Sequence, residues 1–226
     1  LARVIRDAVG GAGIPEDAVQ LIESTDRALV GEMLSMKDTI DLVIPRGGAD
    51  LVRRVAEEAS MPAVTGGVGV CHSYVDSQAD VDMAVDIVYN SKVQRPSVCN
   101  ALDSLLVHVD AAPRFLPAMA RRWADVGVEM RCDRRALSIL EPIEGTRLLA
   151  AAEQDWDTEF LSLALAVKVV DSTDEAIAHI ERHGTGHTEA IVTEDDSTAM
   201  RFLDEVDSGV VLVNASTRFN DGGQLG

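Results

Sequence analysis

The segment Gln94-Arg95-Pro96-Ser97-Val98-Cys99-Asn100 gathers residue types that could do covalent chemistry. A cysteine stands directly before an asparagine, after a stretch that Pro96 biases toward extended backbone. A thiolate is a soft nucleophile: toward a carbonyl carbon it forms an acyl intermediate and can later leave. The run that starts at Ala101 reads as helix and then strand. A helical turn opening at or just after Cys99 would place the thiol at a positive helix end, which favours thiolate. A lone cysteine without context is more often a small buried hydrophobe. Asn100 can hold the loop by local hydrogen bonds or help orient a substrate.

The elements that must position these residues alternate between strand and helix. Strand-like runs fall at 19–22, 40–44, 73–75, 105–109, 128–132, 166–170, 190–193 and 210–213. Helical periodicity falls at about 25–36, after Gly48, and at 79–88, 112–126, 174–183 and 197–206. This spacing predicts right-handed crossovers and parallel sheets. Residues 141–153 show no period and are predicted to be a connection. A domain boundary is placed near 91–97, giving domains 1–96 and 97–226.

Composition narrows the function classes. The chain has 226 residues, 46% of them hydrophobic, enough for one large or two modest cores. Its mean hydropathy is +0.07. A net charge of −18 argues against nucleic-acid or anionic-membrane binding, although local cations can still hold an anionic substrate. Three cysteines, Cys71, Cys99 and Cys132, have no paired spacing, so a disulfide framework or zinc ribbon is not expected and a reducing, cytoplasmic setting fits. No metal-ligand spacing is present, and His72, His108 and His187 read as structural.

Two other segments have phosphate- or anion-binding chemistry. Arg46-Gly47-Gly48 follows an apolar run and opens a helix, where backbone N–H groups and a guanidinium can meet phosphate. Asn214-Ala215-Ser216-Thr217-Arg218 ends an apolar run with hydroxyls and one arginine, groups able to read a carboxylate and an amine.

Val98-Cys99-Asn100-Ala101 within 94–108 resembles the nucleophile segment of the gamma-glutamyl phosphate reductases, the proline-pathway family of the aldehyde dehydrogenase superfamily. Five further segments agree in order: those opening at Asp41, Gly67, Asp157 and Gly186, and the one running from Val213 to Phe219. The resemblance implies an α/β, aldehyde dehydrogenase-like fold with two parallel-sheet, three-layer domains. One would be part of a Rossmann-like cofactor domain, the other the catalytic domain. It implies NADPH-dependent reduction of L-glutamyl 5-phosphate to L-glutamate 5-semialdehyde through a Cys99 thioester, without a metal. Arg46, Gly47, Gly48, Gly67, Gly69, Glu159 and Phe160 would contact the cofactor, with Glu159 on the nicotinamide ribose hydroxyls. Asn100, Asn214, Ser216, Thr217 and Arg218 would contact the substrate. Homo-oligomers are implied for the full-length enzyme, with glutamate 5-kinase a candidate partner.

The chain also departs from the superfamily pattern. Ala63-Val64-Thr65-Gly66-Gly67 carries no carboxylate where aldehyde-oxidising relatives place the base that activates water. That absence agrees with reduction of an acyl phosphate and counts against oxidation of an aldehyde to an acid. The start at Leu1 and the glycine-rich end are read as those of an interior piece of a longer enzyme. Such a piece, on its own, would bind NADPH weakly, and a non-catalytic fragment is the alternative reading.

Overall fold

The computed structural model describes residues 1–220 and divides into two compact units, Leu1–Gly66 and Gly67–Gly226. The first unit carries helices α1 (Ala2–Gly11), α2 (Ala28–Leu34) and α3 (Ala49–Glu58). Asp26 accepts the N–H of Ala28 at 2.9 Å and so helps open α2. The strands expected at 19–22 and 40–44 do not form ladders. Among the described residues of this unit, the pairing is one parallel bridge, Val43 with Ala63. An extended segment becomes a strand only through a partner for its N–H and C=O groups, and apolar content alone does not supply one.

The second unit is built on one seven-stranded sheet in the order β4-β3-β5-β2-β1-β6-β7. The strands are β1 (Cys71–Val75), β2 (Leu102–His108), β3 (Glu129–Cys132), β4 (Arg147–Ala150), β5 (Ala164–Val170), β6 (Thr188–Val192) and β7 (Val210–Val213). Every neighbouring pair is parallel. β1, β2 and β5 are buried along almost their whole length, which is why they read as near-continuous apolar runs.

Alternation along these strands feeds two cores. Val75, Leu105, Val107, Val167, Val169 and Val192 pack with α4 (Val81–Val93), α5 (Ala112–Ala124) and α6 (Arg134–Leu140). Tyr74, Leu106, Val170 and Ile191 face α7 (Thr173–His183) and α8 (Asp196–Glu205). The result is three layers, helix–sheet–helix. Side-chain caps start most of these helices: Asp80, Asp133, Ser172 and Asp195 accept N–H groups from Met83, Ala136, Glu175 and Thr198 at 2.7, 2.7, 3.2 and 2.7 Å.

Two expectations change here. The boundary expected between residues 96 and 97 falls inside the second unit, between α4 and β2. β1 and α4 belong with β2 because β1 lies between β2 and β6 in the sheet. The connection expected at 141–153 contains β4, an edge strand whose exposed residues carry no burial pattern. α6, just before it, was not expected either. Among the described residues no helix is long and apolar enough to cross a membrane.

Candidate active site

All strands of the sheet being parallel, they start on one edge, and Cys99 lies there, in the turn before β2. No helix begins at Cys99: the chain turns through Ala101, whose N–H bonds to Val98 at 3.0 Å, and enters β2 at Leu102. The helix-end field expected for the thiol is therefore absent. What the turn provides is exposure, since Cys99 is exposed while Cys71 and Cys132 are buried.

Backbone contacts fix the turn. A Cβ on Gly69 would sit 2.2 Å from the Cys99 carbonyl oxygen, so only glycine fits. The Cys71 thiol donates to that same oxygen at 3.1 Å. Burial, with the Glu189 carboxylate second, pushes the Cys71 thiol well above its ordinary value. Burial and Asp133 push Cys132 up to about 12. Asn100 is buried and donates its amide to the Asn220 carbonyl. The Asn220 amide in turn donates to the Thr188 hydroxyl at 2.6 Å. His187 Nδ1 lies 2.7 Å from the same hydroxyl and 3.7 Å from Cys71 Sγ. Asn100 thus holds the Cys99 turn to the start of β6.

The segment after β7 is brought only partly to this edge. Arg218 is half-buried, and its Nε donates to Gln94 at 3.2 Å, which ties it to the segment leading to Cys99. Ser216 and Thr217 are buried. The Ser91 hydroxyl donates to the Ser216 hydroxyl at 3.0 Å and accepts the Thr217 N–H at 3.3 Å, so both dock on the last turn of α4. Asn214 lies at the opposite edge, at the end of β7. Its side chain exchanges two hydrogen bonds with the Thr193 backbone, at 3.0 and 2.9 Å, while its own φ is +52°.

Glu159 and Phe160 lie on the Cys99 edge, in the loop before β5. They line an open pocket of about 610 Å³ together with Arg131, Arg147, Thr158 and Ser162. Arg131 is held to Glu129 and Asp155 at 3.0 and 2.6 Å and lies over the Phe160 ring at 5.1 Å. A half-exposed carboxylate beside an aromatic ring in an open pocket fits a ribose diol. Gly67 has open space where a Cβ would be, whereas the missing side chain of Gly69 is explained by the Cys99 carbonyl. In the first unit, Gly48 is the extended N-cap of α3, and Arg46 and Gly47 are exposed in the loop before it. The N-terminus of a helix is a place where backbone N–H groups can meet an anion.

Two buried charged groups were missed by the sequence reading. Lys92 and Asp103 are 0% and 2% exposed, with Nζ and Oδ1 3.5 Å apart. Lys92 follows Val88 by one helical turn, on the buried face of α4. Asp103 interrupts an apolar strand. A charge at an inward position was the available signal.

The aldehyde dehydrogenase family model matches residues 1–137 and 155–226, and the chain belongs to that family. Within it, the chain is 58% identical over its whole length to a gamma-glutamyl phosphate reductase of Dehalococcoides mccartyi, covering 53% of that protein. A relative of the same name from Persephonella marina is 49% identical, with 52% covered. The crystal structure of a gamma-glutamyl phosphate reductase from Thermotoga maritima superposes with a TM-score of 0.91 at 46% identity, over 99% of this chain and 53% of that one. An acetylating aldehyde dehydrogenase from Geobacillus thermoglucosidasius, 23% identical, shares the fold with a TM-score of 0.76. The chain spans about half the length of the curated relatives it matches.

Proposed function

We propose that this chain carries the nucleophile and substrate loop of an NADPH-dependent gamma-glutamyl phosphate reductase, acting in proline biosynthesis. The observation that carries the reading is an exposed Cys99 on a locked turn, in a chain 58% identical to a protein of that name. Cys99 Sγ attacks the γ-carbonyl carbon of L-glutamyl 5-phosphate. A C–S bond forms, the C–O bond to phosphate breaks, and inorganic phosphate leaves. The reduced nicotinamide supplies the hydride that the thioester accepts. The hemithioacetal then breaks its C–S bond, releasing L-glutamate 5-semialdehyde and the Cys99 thiolate.

Glu159 and Phe160 hold the nicotinamide ribose, and Arg46, Gly47, Gly48 and Gly67 serve the cofactor phosphates and the approach to the ring. Gly69 serves by admitting the Cys99 carbonyl. Arg218, with the 216–217 segment behind it, binds the substrate carboxylate, while Asn100 shapes the turn. Asn214 acts from the far edge, by holding the end of β7. The enzyme is cytoplasmic and homo-oligomeric, and glutamate 5-kinase is its proposed partner.

The test is run in reverse on the full-length protein, with semialdehyde, NADP and phosphate. NADP reduction that requires phosphate and is lost by several orders of magnitude in Cys99→Ala is the expected result. Phosphate-independent formation of glutamate would overturn the reading in favour of an aldehyde oxidiser.

A further inference from the structure

Lys92 and Asp103 sit at the base of the loop that carries Cys99. Lys92 lies in the last turn of α4, just before the loop, and its Nζ donates at 2.7 Å to the Leu102 carbonyl, just after it. One buried ammonium therefore closes the loop across its two stems. Asp103 takes the same ammonium at 3.5 Å, and its Oδ1 accepts the Phe160 N–H at 3.0 Å. Lys92 Nζ also lies 5.8 Å from the centre of the Phe160 ring. The pair thus ties the nucleophile loop and the pocket loop to one point.

The pocket loop needs an anchor. Leu161, next to Phe160, has φ +49°, in the left-handed region where a residue with a branched side chain is held only by its surroundings. The Asp103–Phe160 hydrogen bond is the described polar contact immediately before that residue.

Stability does not account for the pair. Burial pushes Asp103 up to about 6 even though Lys92 opposes the shift. Burial likewise lowers Lys92 against the pull of Asp103. Desolvation exceeds mutual attraction on both sides, and an apolar pair of similar volume is often neutral or stabilising in such a place. What a charged pair adds over apolar packing is direction: fixed lines to the Leu102 carbonyl and the Phe160 N–H.

We propose that Lys92 and Asp103 are positioning residues that set the Glu159–Phe160 loop and the Cys99 loop in register for hydride transfer. This rests on the reductase reading and extends it to residues that touch neither substrate nor cofactor. Misplacement of a reacting group by about 1 Å can cost ~100-fold.

The experiment is the double replacement Lys92→Met/Asp103→Leu in the full-length protein, which removes both charges and keeps apolar volume. Expected are a melting temperature equal to or above the parent's and a kcat lower by on the order of 100-fold. The deuterium isotope effect on kcat from 4-deuterated NADPH should increase. Asp103→Glu, which keeps the carboxylate, should recover most of the rate. A double variant that melts like the parent and keeps kcat within about twofold overturns the proposal. If it does not fold, Lys92→Met/Asp103→Asn retains an oxygen for the Phe160 N–H but loses the closure of the loop. A kcat about tenfold down with unchanged KM for NADPH supports the proposal, and parental kcat overturns it. An inactive parent would instead remove the reductase reading, a result distinct from an active parent with an equally active variant.

Discussion

The two edges of the sheet in the second unit are built on opposite terms. At the edge where the strands end, Asp76 and Asn214 are hydrogen-bonded to their neighbours. Asp76 accepts from the Tyr74 and Thr193 hydroxyls at 3.2 and 2.8 Å and from the Gln78 N–H at 3.1 Å, and Asn214 locks onto Thr193 beside it. At the edge where the strands start, Cys99 is exposed, Asn100 Oδ1 and Glu189 Oε1 are buried without a protein partner among the described residues, and Lys92 and Asp103 are buried side by side. Open parallel sheets usually bind ligands beyond the carboxyl ends of their strands. Here the exposed Cys99 lies at the amino edge instead, and the proposed chemistry is placed there.

The largest expected effect that sharpens this contrast is thiol labelling. At neutral pH a thiol at about 12, like Cys132, is thiolate in only about one molecule in 10⁵. Cys71 is sealed and shifted the same way. An alkylator should therefore modify Cys99 at least ~100-fold faster than either, followed by peptide mass spectrometry. Equal labelling of all three would erase the distinction between the edges. Next is Gly69→Ala. The added methyl would meet a backbone oxygen at 2.2 Å, so the Cys99 turn must shift, and kcat should fall by roughly 10–100-fold together with a lower melting temperature. A parental kcat would show that the turn tolerates displacement. Arg218→Lys should raise KM for the semialdehyde by on the order of tenfold, because lysine cannot present the guanidinium fork. An unchanged KM moves the carboxylate site elsewhere. The smallest catalytic effect belongs to the carboxyl edge. Asn214→Ala removes two hydrogen bonds and puts alanine at φ +52°, so it should lose about 2 kcal/mol of stability while kcat stays within about twofold. A large loss of kcat there would break the comparison.

The amino edge was legible where its residues are consecutive. Cys99 and Asn100 stood in one short segment, and the sheet strands showed as apolar runs because both faces of β1, β2 and β5 are covered. What periodicity does not reveal is which charge turns inward. Lys92 could have been solvated at the end of α4, and only the tertiary packing makes it a partner of Asp103. The helix expected after Cys99 failed because the strand claims residues from Leu102 onward, its ladder with β1 and β5 outweighing local propensity. β4 escaped notice as an exposed edge strand. The grouping of residues after β7 was misleading for a related reason: one contiguous polar run, 214–218, starts at one edge of the sheet and finishes at the other.

The contact between Gly69 and Cys99 is made on the Cys99 side by the carbonyl oxygen and carbon and by Cβ, atoms that every residue but glycine carries. The shape of the turn is therefore indifferent to the side chain it presents. Serine, alanine or selenocysteine at position 99 would sit on the same frame, and a change of nucleophile would alter reactivity while leaving the scaffold in place. Gly69 is the opposite case: it takes no part in the chemistry, yet any other residue there deforms the frame. In this frame the side chain at position 99 can change, and the empty space behind it cannot.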